Sequence, residues 1–474
     1  MPITFSRLLV SIIACSALSA TAASRIGTGA VQELYEQKCG ACHGMKMESG
    51  IGGSLVDDTW KHGSSDEAIA NVIRNGVPGT EMIAFKEQLS EEQIRALVIL
   101  IRERQQMTEP TPTSSDDVIN AGDLRLQLQP LMTSDSLLWG MTVLPDQSML
   151  VTQRSGKLWH YHNGNKQSIS GVPEVWHQGQ GGLLDVAAHP DYANNGWIYL
   201  AFSETSGKKN DQGRQVGATK IIRAKLKNNA LVEQQTIFSV PLNEQVNRGW
   251  HFGCRLVLVD GYLFFGIGDA GFPENAQKLD NVNGKIHRLH DDGRVPSDNP
   301  FVNNKEAIKS IWTYGNRNPQ GLTYDVQRKI LWEAEHGPRG GDEINVIEKG
   351  KNYGWPTITY GINYDGTPIT DKTAAPGMEQ PKHYWTPSIA VSNIDIYRGD
   401  VFKSWQGKML VSSLAAQELR VLDINAEKIT GDTLIFNDRG RIRDVQVGRN
   451  GEVFLLINNE QEQSFGLYSL KSIK

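Results

Sequence analysis

The strongest chemical signal in the sequence is a pair of cysteines separated by two residues, with a histidine directly after them. Cys39, Cys42 and His43 form a C-x-x-C-H motif, which is typical of covalent c-type haem attachment. Two thiols one helical turn apart can reach the two vinyl groups of a haem, and the histidine can then bind the iron on one face. The alternatives are a redox dithiol or half of a zinc site, but a zinc site needs more ligands than this region offers.

A second axial haem ligand is expected from residues 76–85, with the sequence GVPGTEMIAF. This segment resembles the loop that supplies the axial methionine in small cytochromes c. Met82 is the candidate ligand, and His62 is the alternative. Met45 and Met47 lie too close to the attachment motif to reach the opposite face. A methionine opposite a histidine raises the haem potential and suits an electron acceptor.

A second set of candidate residues lies far from this motif, in glycine-containing segments later in the chain. An imidazole accepts protons near neutral pH and can serve as a general base. Guanidinium groups bind carboxylates in a bidentate manner, and two arginines that alternate by two share one face of a strand. The candidates with these properties are His251, Arg317, Arg441 and Arg443, and the glycine-containing segments also carry the polar residues Gln180, Asp269 and Asn318.

The composition describes the molecule that must position these residues. The chain has 474 residues, of which 39% are hydrophobic and 21% charged, an ordinary globular balance that excludes a mainly disordered or multi-span membrane protein. Lys+Arg is 48 and Asp+Glu is 53, so the net charge of −5 gives no sign of nucleic-acid binding. The 47 glycines and 11 tryptophans favour an all-β fold rich in tight turns.

The first 23 residues have the features of a secretory signal peptide. A short segment ending at Arg7 precedes an apolar stretch over 8–18, and Ala20 and Ala22 fit an A-x-A cleavage site. Lipidation at Cys15 is the alternative, which would anchor the mature chain. No later stretch reaches the ~18 consecutive apolar residues of a membrane span. We therefore expect a periplasmic protein without a transmembrane span.

Residues 24–105 are expected to form a small all-α cytochrome c domain. Residues 31–38 have a short helical pattern, and residues 90–93 (SEEQ) form a capping box that begins an amphipathic helix over 94–102. A polar segment rich in Pro, Ser and Thr follows at 106–120 and is typical of a linker.

The remaining residues, 121–474, contain six β-type runs, each preceded by a turn. Long helical patterns are almost absent between them. Six such repeats predict an all-β six-bladed β-propeller, whose loops surround one central pocket. The runs are 148–153 (SMLVTQ), 197–202 (WIYLAF), 262–268 (YLFFGIG), 329–334 (KILWEA), 408–412 (KMLVS) and 452–456 (EVFLL).

The order of motifs in this second domain resembles a known family. The segments are GQGGLLD at 179–185, HFGCRL at 251–256, GNRNPQGL at 315–322, EHGPRGGDEIN at 335–345 and RIRD at 441–444. They resemble the soluble aldose dehydrogenases of the glucose/sorbosone type, which use pyrroloquinoline quinone (PQQ). The first domain resembles a class I cytochrome c. Together the resemblances imply a quinohaemoprotein that oxidises an aldose at C1 and passes electrons through haem c to an external acceptor.

The family resemblance implies roles for the catalytic residues. His251 matches the general base that takes the proton of the sugar C1 hydroxyl, and Asp269 matches a carboxylate that orients it. Arg317 and Asn318 match a pair that contacts the cofactor. Arg317 would stabilise negative charge on the reduced quinone oxygen. Gln180 matches a polar contact to PQQ or substrate.

The same resemblance implies sites for the cofactor carboxylates and for calcium. Arg441 and Arg443 match a carboxylate clamp, although Ala415 stands near where glucose-oxidising relatives carry a lysine. The backbone carbonyls of Gly337 and Pro338 match the ligands of a catalytic Ca²⁺, which prefers oxygen. The residues that match a second, structural calcium site are Glu343 and Tyr353, with Asp365 as an optional third.

Two other functions remain open at this stage. A calcium-dependent carbohydrate-binding propeller without dehydrogenase activity would also need a sugar pocket, and the missing lysine favours it. A propeller lactonase would leave the haem without a role. The partners expected of the dehydrogenase are an aldose and an electron acceptor, which is a cytochrome, a copper protein or a respiratory chain.

Overall fold

A computed structural model describes residues 29–48, 50–108, 118–210 and 212–473. The expected signal peptide, with Cys15, lies outside the described residues. None of the helices in the described ranges is both long and apolar enough to cross a membrane.

The first domain is helical, as predicted. Its helices are α1 (Ala30–Lys38), α2 (Gly40–His43), α3 (Asp66–Asn75) and α4 (Glu91–Thr108). The predicted capping box begins α4, because Ser90 Oγ accepts from the Gln93 backbone N–H and the Gln93 side chain accepts from the Ser90 N–H. The domain's core contains the fully buried Leu97 and Leu100 of α4 and Tyr35 of α1.

The predicted linker boundaries differ from the structure at both ends. Helix α4 continues to Thr108, where the linker was expected from residue 106, and its last turns include the buried Glu103. The first strand begins at Val118 rather than after residue 120. Any linker is therefore limited to residues 109–117, which lie outside the described residues.

The second domain is a six-bladed β-propeller, as predicted from the six runs. Two strands precede the first complete blade: β1 (Val118–Ala121) and β2 (Leu124–Ser134). Blade 1 contains β3 (Leu138–Val143), β4 (Met149–Gln153), β5 (Lys157–His162) and β6 (Asn165–Ile169). Blade 2 contains β7 (Leu183–Ala188), β8 (Trp197–Lys209), β9 (Gln215–Lys227) and β10 (Ala230–Ser239), with helix α5 (Tyr192–Asn195) between β7 and β8.

The remaining blades follow in chain order. Blade 3 contains β11 (Leu256–Val259), β12 (Tyr262–Ile267), β13 (Lys285–His290) and β14 (Ile311–Tyr314). Blade 4 contains β15 (Pro319–Asp325), β16 (Ile330–Glu335), β17 (Asp342–Val346) and β18 (His383–Trp385). Blade 5 contains β19 (Val391–Ile396), β20 (Met409–Ser413), β21 (Leu419–Asn425) and β22 (Lys428–Phe436), and blade 6 contains β23 (Arg441–Val447), β24 (Val453–Asn459) and β25 (Ser464–Ser472).

Each of the six runs coincides with the second strand of a blade. These strands are buried between their neighbours within the blade, and β4 is buried at all five positions. A strand that is covered on both faces carries mostly consecutive apolar residues, and this explains why these runs dominate the sequence pattern.

The ring is closed by its two ends. Strand β2 pairs with β25 antiparallel, so that residues before blade 1 complete blade 6. Buried aspartates join neighbouring blades, because each accepts a backbone N–H from the next blade. Asp185 accepts from Leu256 at 2.8 Å, and Asp444 accepts from Met141 at 2.8 Å.

The candidate residues lie at one end of the propeller axis because of this topology. The first strand of each blade lines the axis and contacts the first strands of adjacent blades. Gln180 directly precedes β7, His251 precedes β11, and Arg317 precedes β15. Since these inner strands run in the same direction along the axis, the segments before them share one face.

Candidate active site

His251 is held in place by its backbone and by one ring nitrogen. Its φ is 54°, in the left-handed region that a residue with a side chain rarely adopts, a strain often found at functional sites. The backbone N–H donates to Gln180 Oε1 at 2.9 Å. Imidazole Nδ1 lies 2.6 Å from Asp269 Oδ1, and within the described residues Nε2 has no hydrogen-bond partner.

Asp269 is a buried carboxylate surrounded by donors. Its side chain is 1% exposed. Oδ1 accepts from Gly271 N–H at 2.7 Å as well as from His251, and Oδ2 accepts from Trp355 Nε1 at 2.8 Å. Burial opposes ionisation, but the bond to His251 and the nearby positive charge outweigh it, so the pKa of Asp269 lies below its usual value.

This environment sets the protonation state and tautomer of His251. Burial, and then the charge of Arg317, lower the pKa of His251 below its usual value. The imidazole is therefore neutral at neutral pH. Because the ionised Asp269 accepts at Nδ1, the proton is placed on Nδ1 and the lone pair on Nε2, the atom that can accept a proton.

Arg317 connects this pair to the loop after β16. Its backbone carbonyl accepts from the Asp269 N–H at 2.8 Å. Its Nη1 donates to the carbonyls of His336 and Gly337, each at 2.8 Å, and its guanidinium lies 5.3 Å from the ring centre of Trp355. The Nε of Arg317 is buried and has no hydrogen-bond partner among the described residues.

Asn318 and Gln180 bridge neighbouring blades. Asn318 Oδ1 accepts from Gly253 N–H at 3.3 Å and from Gln320 Nε2 at 3.1 Å. The Gln180 side-chain oxygen accepts from the His251 backbone N–H. Both predicted residues thus lie beside the His251 loop.

A group of arginines lies at the same end of the axis, and the described residues provide too few hydrogen-bond acceptors for their guanidinium groups. Arg443 Nη1 donates to Gln320 Oε1 at 3.3 Å, but its buried Nε has no partner in the part of the chain that the structure describes. Burial and the charges of neighbouring arginines lower the pKa of Arg443 to about 9. Among the described residues, Arg441 has one paired acid, Glu460, whose carboxylate lies 3.8 Å from the Arg441 Nε. Crowded, half-buried cations of this kind are stabilised by an anionic ligand.

Arg154 is a member of this group that the sequence analysis missed. Its Nε is buried and lacks a partner among the described residues, and its charge is close enough to lower the pKa of Arg443. It comes directly after β4, at the end of the first of the six runs. An arginine directly after one of the six runs was the sequence signal that could have identified it.

The two expected calcium carbonyls already accept hydrogen bonds. The Gly337 carbonyl accepts from Arg317, and the Pro338 carbonyl accepts from Ser388 Oγ at 2.7 Å. Both residues are buried. A cation that bound the Gly337 carbonyl would have to replace the Arg317 guanidinium there, which also carries positive charge.

The residues expected at a second calcium are only partly suited to it. Tyr353 donates its hydroxyl to the Val346 carbonyl at 2.5 Å and accepts from the Glu348 N–H at 2.9 Å, so that hydroxyl is occupied by the main chain. Burial, and then the charge of Glu335, raise the pKa of Glu343. No group of three or more acidic, His or Cys side chains arranged for a metal occurs in the described ranges.

Asp365, the optional third ligand, is exposed. Its carboxylate accepts from Thr367, and its carbonyl accepts from the Ala30 N–H of the helical domain at 3.1 Å. It belongs to the contact between the two domains.

The haem motif begins at Cys39, between α1 and α2, and continues with Cys42 and His43 on α2. Cys39 and Cys42 are free thiols. The Nδ1 of His43 lies 3.1 Å from the Gly53 carbonyl, so that a proton on Nδ1 leaves Nε2 available to an iron. Met82 packs against the apolar core of this domain, whereas His62 is exposed.

Comparisons with known proteins agree with both domains. Residues 135–467 match the family described as Glucose / Sorbosone dehydrogenase, and residues 28–101 match the family described as Cytochrome C oxidase, cbb3-type, subunit III. The chain is 43% identical over 326 residues to aldose sugar dehydrogenase YliI of Escherichia coli, covering 67% of this chain and 86% of that protein. It is 32% identical over 260 residues to quinoprotein glucose dehydrogenase B of Acinetobacter calcoaceticus, covering 50% and 52%.

A solved structure gives the same result. The crystal structure of the soluble aldose sugar dehydrogenase from Escherichia coli in the apo-form superposes with a TM-score of 0.69 and 39% identity, and the match covers 73% of this chain and 100% of that chain. The chain therefore belongs to the glucose/sorbosone dehydrogenase family, with a cytochrome c domain at its N-terminus, and is homologous to oxidoreductases that act on sugar CH–OH groups.

Proposed function

We propose that the protein oxidises an aldose at C1 to the lactone, using PQQ and Ca²⁺ in the propeller and haem c in the first domain. The observation that carries this proposal is the group of incompletely paired arginines at the same end of the propeller axis as the His251–Asp269 pair, where the charges of Arg443 and His251 both reach His336. The arginine group suits binding of a polyanion, and the His251–Asp269 pair suits removal of a proton.

PQQ fits the residues that are present. It is a flat ortho-quinone with three carboxylates, and the unpaired guanidinium atoms of Arg154 and Arg443 offer bidentate partners for carboxylates. Arg441 lies on the same strand as Arg443, and together they supply the clamp. Arg154 also supplies a positive charge at this face, which can replace the lysine that is absent at Ala415. When bound, the quinone accepts a hydride from the sugar carbon.

The protein's own contribution is proton removal and orientation. His251 Nε2 takes the proton of the C1 hydroxyl, while Asp269 holds the imidazole in the required tautomer and stabilises the imidazolium that forms. Arg317 provides positive charge where negative charge develops. Gln180 fixes the His251 backbone, and Asn318 fixes the neighbouring Gly253.

Calcium binds beside Arg317 in this proposal. The Gly337 and Pro338 carbonyls provide oxygen ligands, with other positions left to cofactor and water. Because Arg317 now donates to Gly337, an anionic cofactor that draws this guanidinium away also frees the carbonyl. Cation and cofactor binding are therefore expected to be coupled. Glu343 remains the candidate for a second calcium, without the Tyr353 hydroxyl.

The first domain provides the outlet for electrons. Cys39 and Cys42 would attach the haem through thioethers, with His43 and Met82 as axial ligands. Each sugar releases two electrons and two protons, and an external one-electron acceptor must be reduced twice. Export to the periplasm fits this role because c-type haem is attached outside the cytoplasm.

A titration and a turnover assay test this proposal. PQQ is added to the purified protein with Ca²⁺, binding is followed by the quenching of tryptophan fluorescence, and an aldose panel is then assayed with an artificial dye. We expect saturable PQQ binding and formation of the lactone from at least one aldose. PQQ binding without any turnover would refute C1 oxidation, and sugar binding without PQQ binding would favour the carbohydrate-binding alternative.

A further inference from the structure

The two domains contact each other through helix α4 and two loops of blade 4. Arg339, in the loop between β16 and β17, donates from both Nε and Nη2 to the carboxylate of Glu103 on α4. Arg95, also on α4, donates to the Thr370 carbonyl. At the start of α1, the Ala30 N–H donates to the Asp365 carbonyl at 3.1 Å.

The ion pair in this contact is largely removed from water. The Arg339 side chain is 12% exposed and that of Glu103 is 8% exposed. A fork-to-fork pair of this geometry is directional. Breaking it by removal of one partner leaves a buried charge uncompensated, which is strongly unfavourable. The pair therefore fixes how the two domains meet.

Apolar packing surrounds the ion pair. Ile362 of the propeller is fully buried in the core of the helical domain, the same cluster against which Met82 and Cys39 pack. Gly340, next to Arg339, has φ +81°, and a Cβ placed there would lie 2.8 Å from Ile99 Cδ1. Only a glycine allows α4 to approach the loop this closely.

The loop between β16 and β17, which contacts the helical domain through Arg339, also contains the carbonyls expected to bind the catalytic Ca²⁺. Arg339 directly follows Gly337 and Pro338, and Arg317 donates to the Gly337 carbonyl. A set of packed residues therefore leads from Met82 through Ile99 and Gly340 to the loop that Arg317 contacts. Electron transfer slows steeply with distance, so a fixed short contact of this kind matters to its rate.

We propose that the α4 interface holds the cytochrome domain on blade 4 as a fixed electron acceptor, with Glu103–Arg339 as the docking pair. The inference rests on the proposed function. In this arrangement the linker keeps the domains together but does not carry the haem back and forth. The two electrons from each sugar cross the interface one at a time, and each leaves to the external one-electron acceptor before the next crosses.

The test uses full-length protein with haem attached. Glu103→Arg places two cations in the contact, and Glu103→Arg with Arg339→Glu restores an opposite pair in reverse. Asp66→Asn is the matched control, because it removes the ion pair between Asp66 on α3 and Arg102 on α4, and both partners belong to the cytochrome domain. The loaded enzyme is assayed in parallel for dye reduction and, by stopped flow, for sugar-dependent haem reduction.

The first expected result is a split between the two rates. Glu103→Arg should slow haem reduction about tenfold or more, since the broken pair strongly disfavours the docked state, while dye reduction stays within about twofold because the substrate site is intact. The charge-reversed double variant should recover most of the loss. Unchanged haem reduction in Glu103→Arg would overturn the inference, provided that wild type reduces the dye; a wild type that does not reduce the dye would refute the proposed function instead.

A second readout does not depend on the reaction. Hydrogen exchange of PQQ-free protein is measured for residues 338–341 and 360–372 and for the Ala30 amide. These amides should be protected in wild type and Asp66→Asn and should exchange faster in Glu103→Arg. Equal exchange in all three proteins would show that the domains are not docked through this pair, and would overturn the inference.

Discussion

Replacement of Asp269 by asparagine tests how the structure prepares His251. The two carboxylate oxygens of Asp269 accept three donors: His251 Nδ1 and Gly271 N–H at Oδ1, and Trp355 Nε1 at Oδ2. An asparagine has one oxygen and one NH₂ group, so it cannot accept at both positions. In either orientation, the NH₂ group of the amide therefore faces at least one buried donor.

The cost of each orientation can be worked out. With NH₂ at the Oδ2 position, the amide opposes Trp355 Nε1, and the unsatisfied buried donor costs roughly 1–3 kcal/mol. With NH₂ at the Oδ1 position, the amide opposes the Gly271 N–H at a similar cost, and His251 must accept at Nδ1, which moves its proton to Nε2 and removes the base. Loss of general-base catalysis slows turnover about 10²–10⁴-fold, or roughly 3–5 kcal/mol in the barrier. In either orientation the neutral amide no longer stabilises the imidazolium that forms, so we expect Asp269→Asn to lose at least about 100-fold in kcat.

The matched variant removes the opposing donor. Trp355→Phe keeps an aromatic ring beside Arg317 but has no N–H, so in the double variant the asparagine can place its NH₂ at the Oδ2 position and its oxygen toward His251. The double variant should therefore be faster than Asp269→Asn alone, although two changes normally add. Dye-coupled turnover with PQQ and Ca²⁺ gives kcat, and thermal unfolding shows that each variant is folded.

The pH dependence has a definite sign. Because the base must be neutral, turnover falls as pH drops through the pKa of His251, which already lies below its usual value. The charge of Asp269 raises this pKa, so its removal should move the acid limb of any residual activity to lower pH. A double variant no faster than the single one, or an acid limb that moves to higher pH, would refute the tautomer argument.

Three other perturbations follow from the remaining sites. Met82→Ala should change the haem spectrum and lower its potential, whereas Met45→Ala, at a side chain 63% exposed, should change neither; an unaltered spectrum for Met82→Ala would exclude it as a ligand. Arg443→Met should raise the melting temperature of PQQ-free protein, because it removes a crowded cation whose Nε is buried without a partner among the described residues, and should weaken PQQ binding about tenfold or more; a lower melting temperature with unchanged binding would contradict this. Calorimetric titration should find Ca²⁺ binding tighter when PQQ is present, and equal affinity with and without PQQ would contradict the displacement of Arg317 from Gly337.

The sequence was sufficient to predict the architecture because each blade repeats one physical pattern. The second strand is largely buried, so most of its residues are apolar and consecutive, as in WIYLAF and in the MLV of SMLVTQ. The C-x-x-C-H motif is equally local, since attachment chemistry dictates its spacing. The capping box at Ser90 needed only the residues at its own helix end.

The contacts between distant segments could not be predicted in this way. Trp355 donates to Asp269 across 86 positions of sequence, and nothing local distinguishes it from a packing residue. Arg154 joins the arginine group only because the propeller brings blades 1 and 6 together. The length of α4 was underestimated because Glu103, a charged residue at a helix end, is buried by a partner more than 200 positions away.

The most direct test of the central claim is the reduction of the haem by sugar. An aldose panel is added to the oxidised full-length protein with PQQ plus Ca²⁺, with each alone and with neither, while the haem α-band is recorded. The account predicts sugar-dependent reduction only when both PQQ and Ca²⁺ are present. Reduction without PQQ, or no reduction by any aldose although PQQ binds and the dye is reduced, would contradict a sugar dehydrogenase that delivers its electrons to the attached haem.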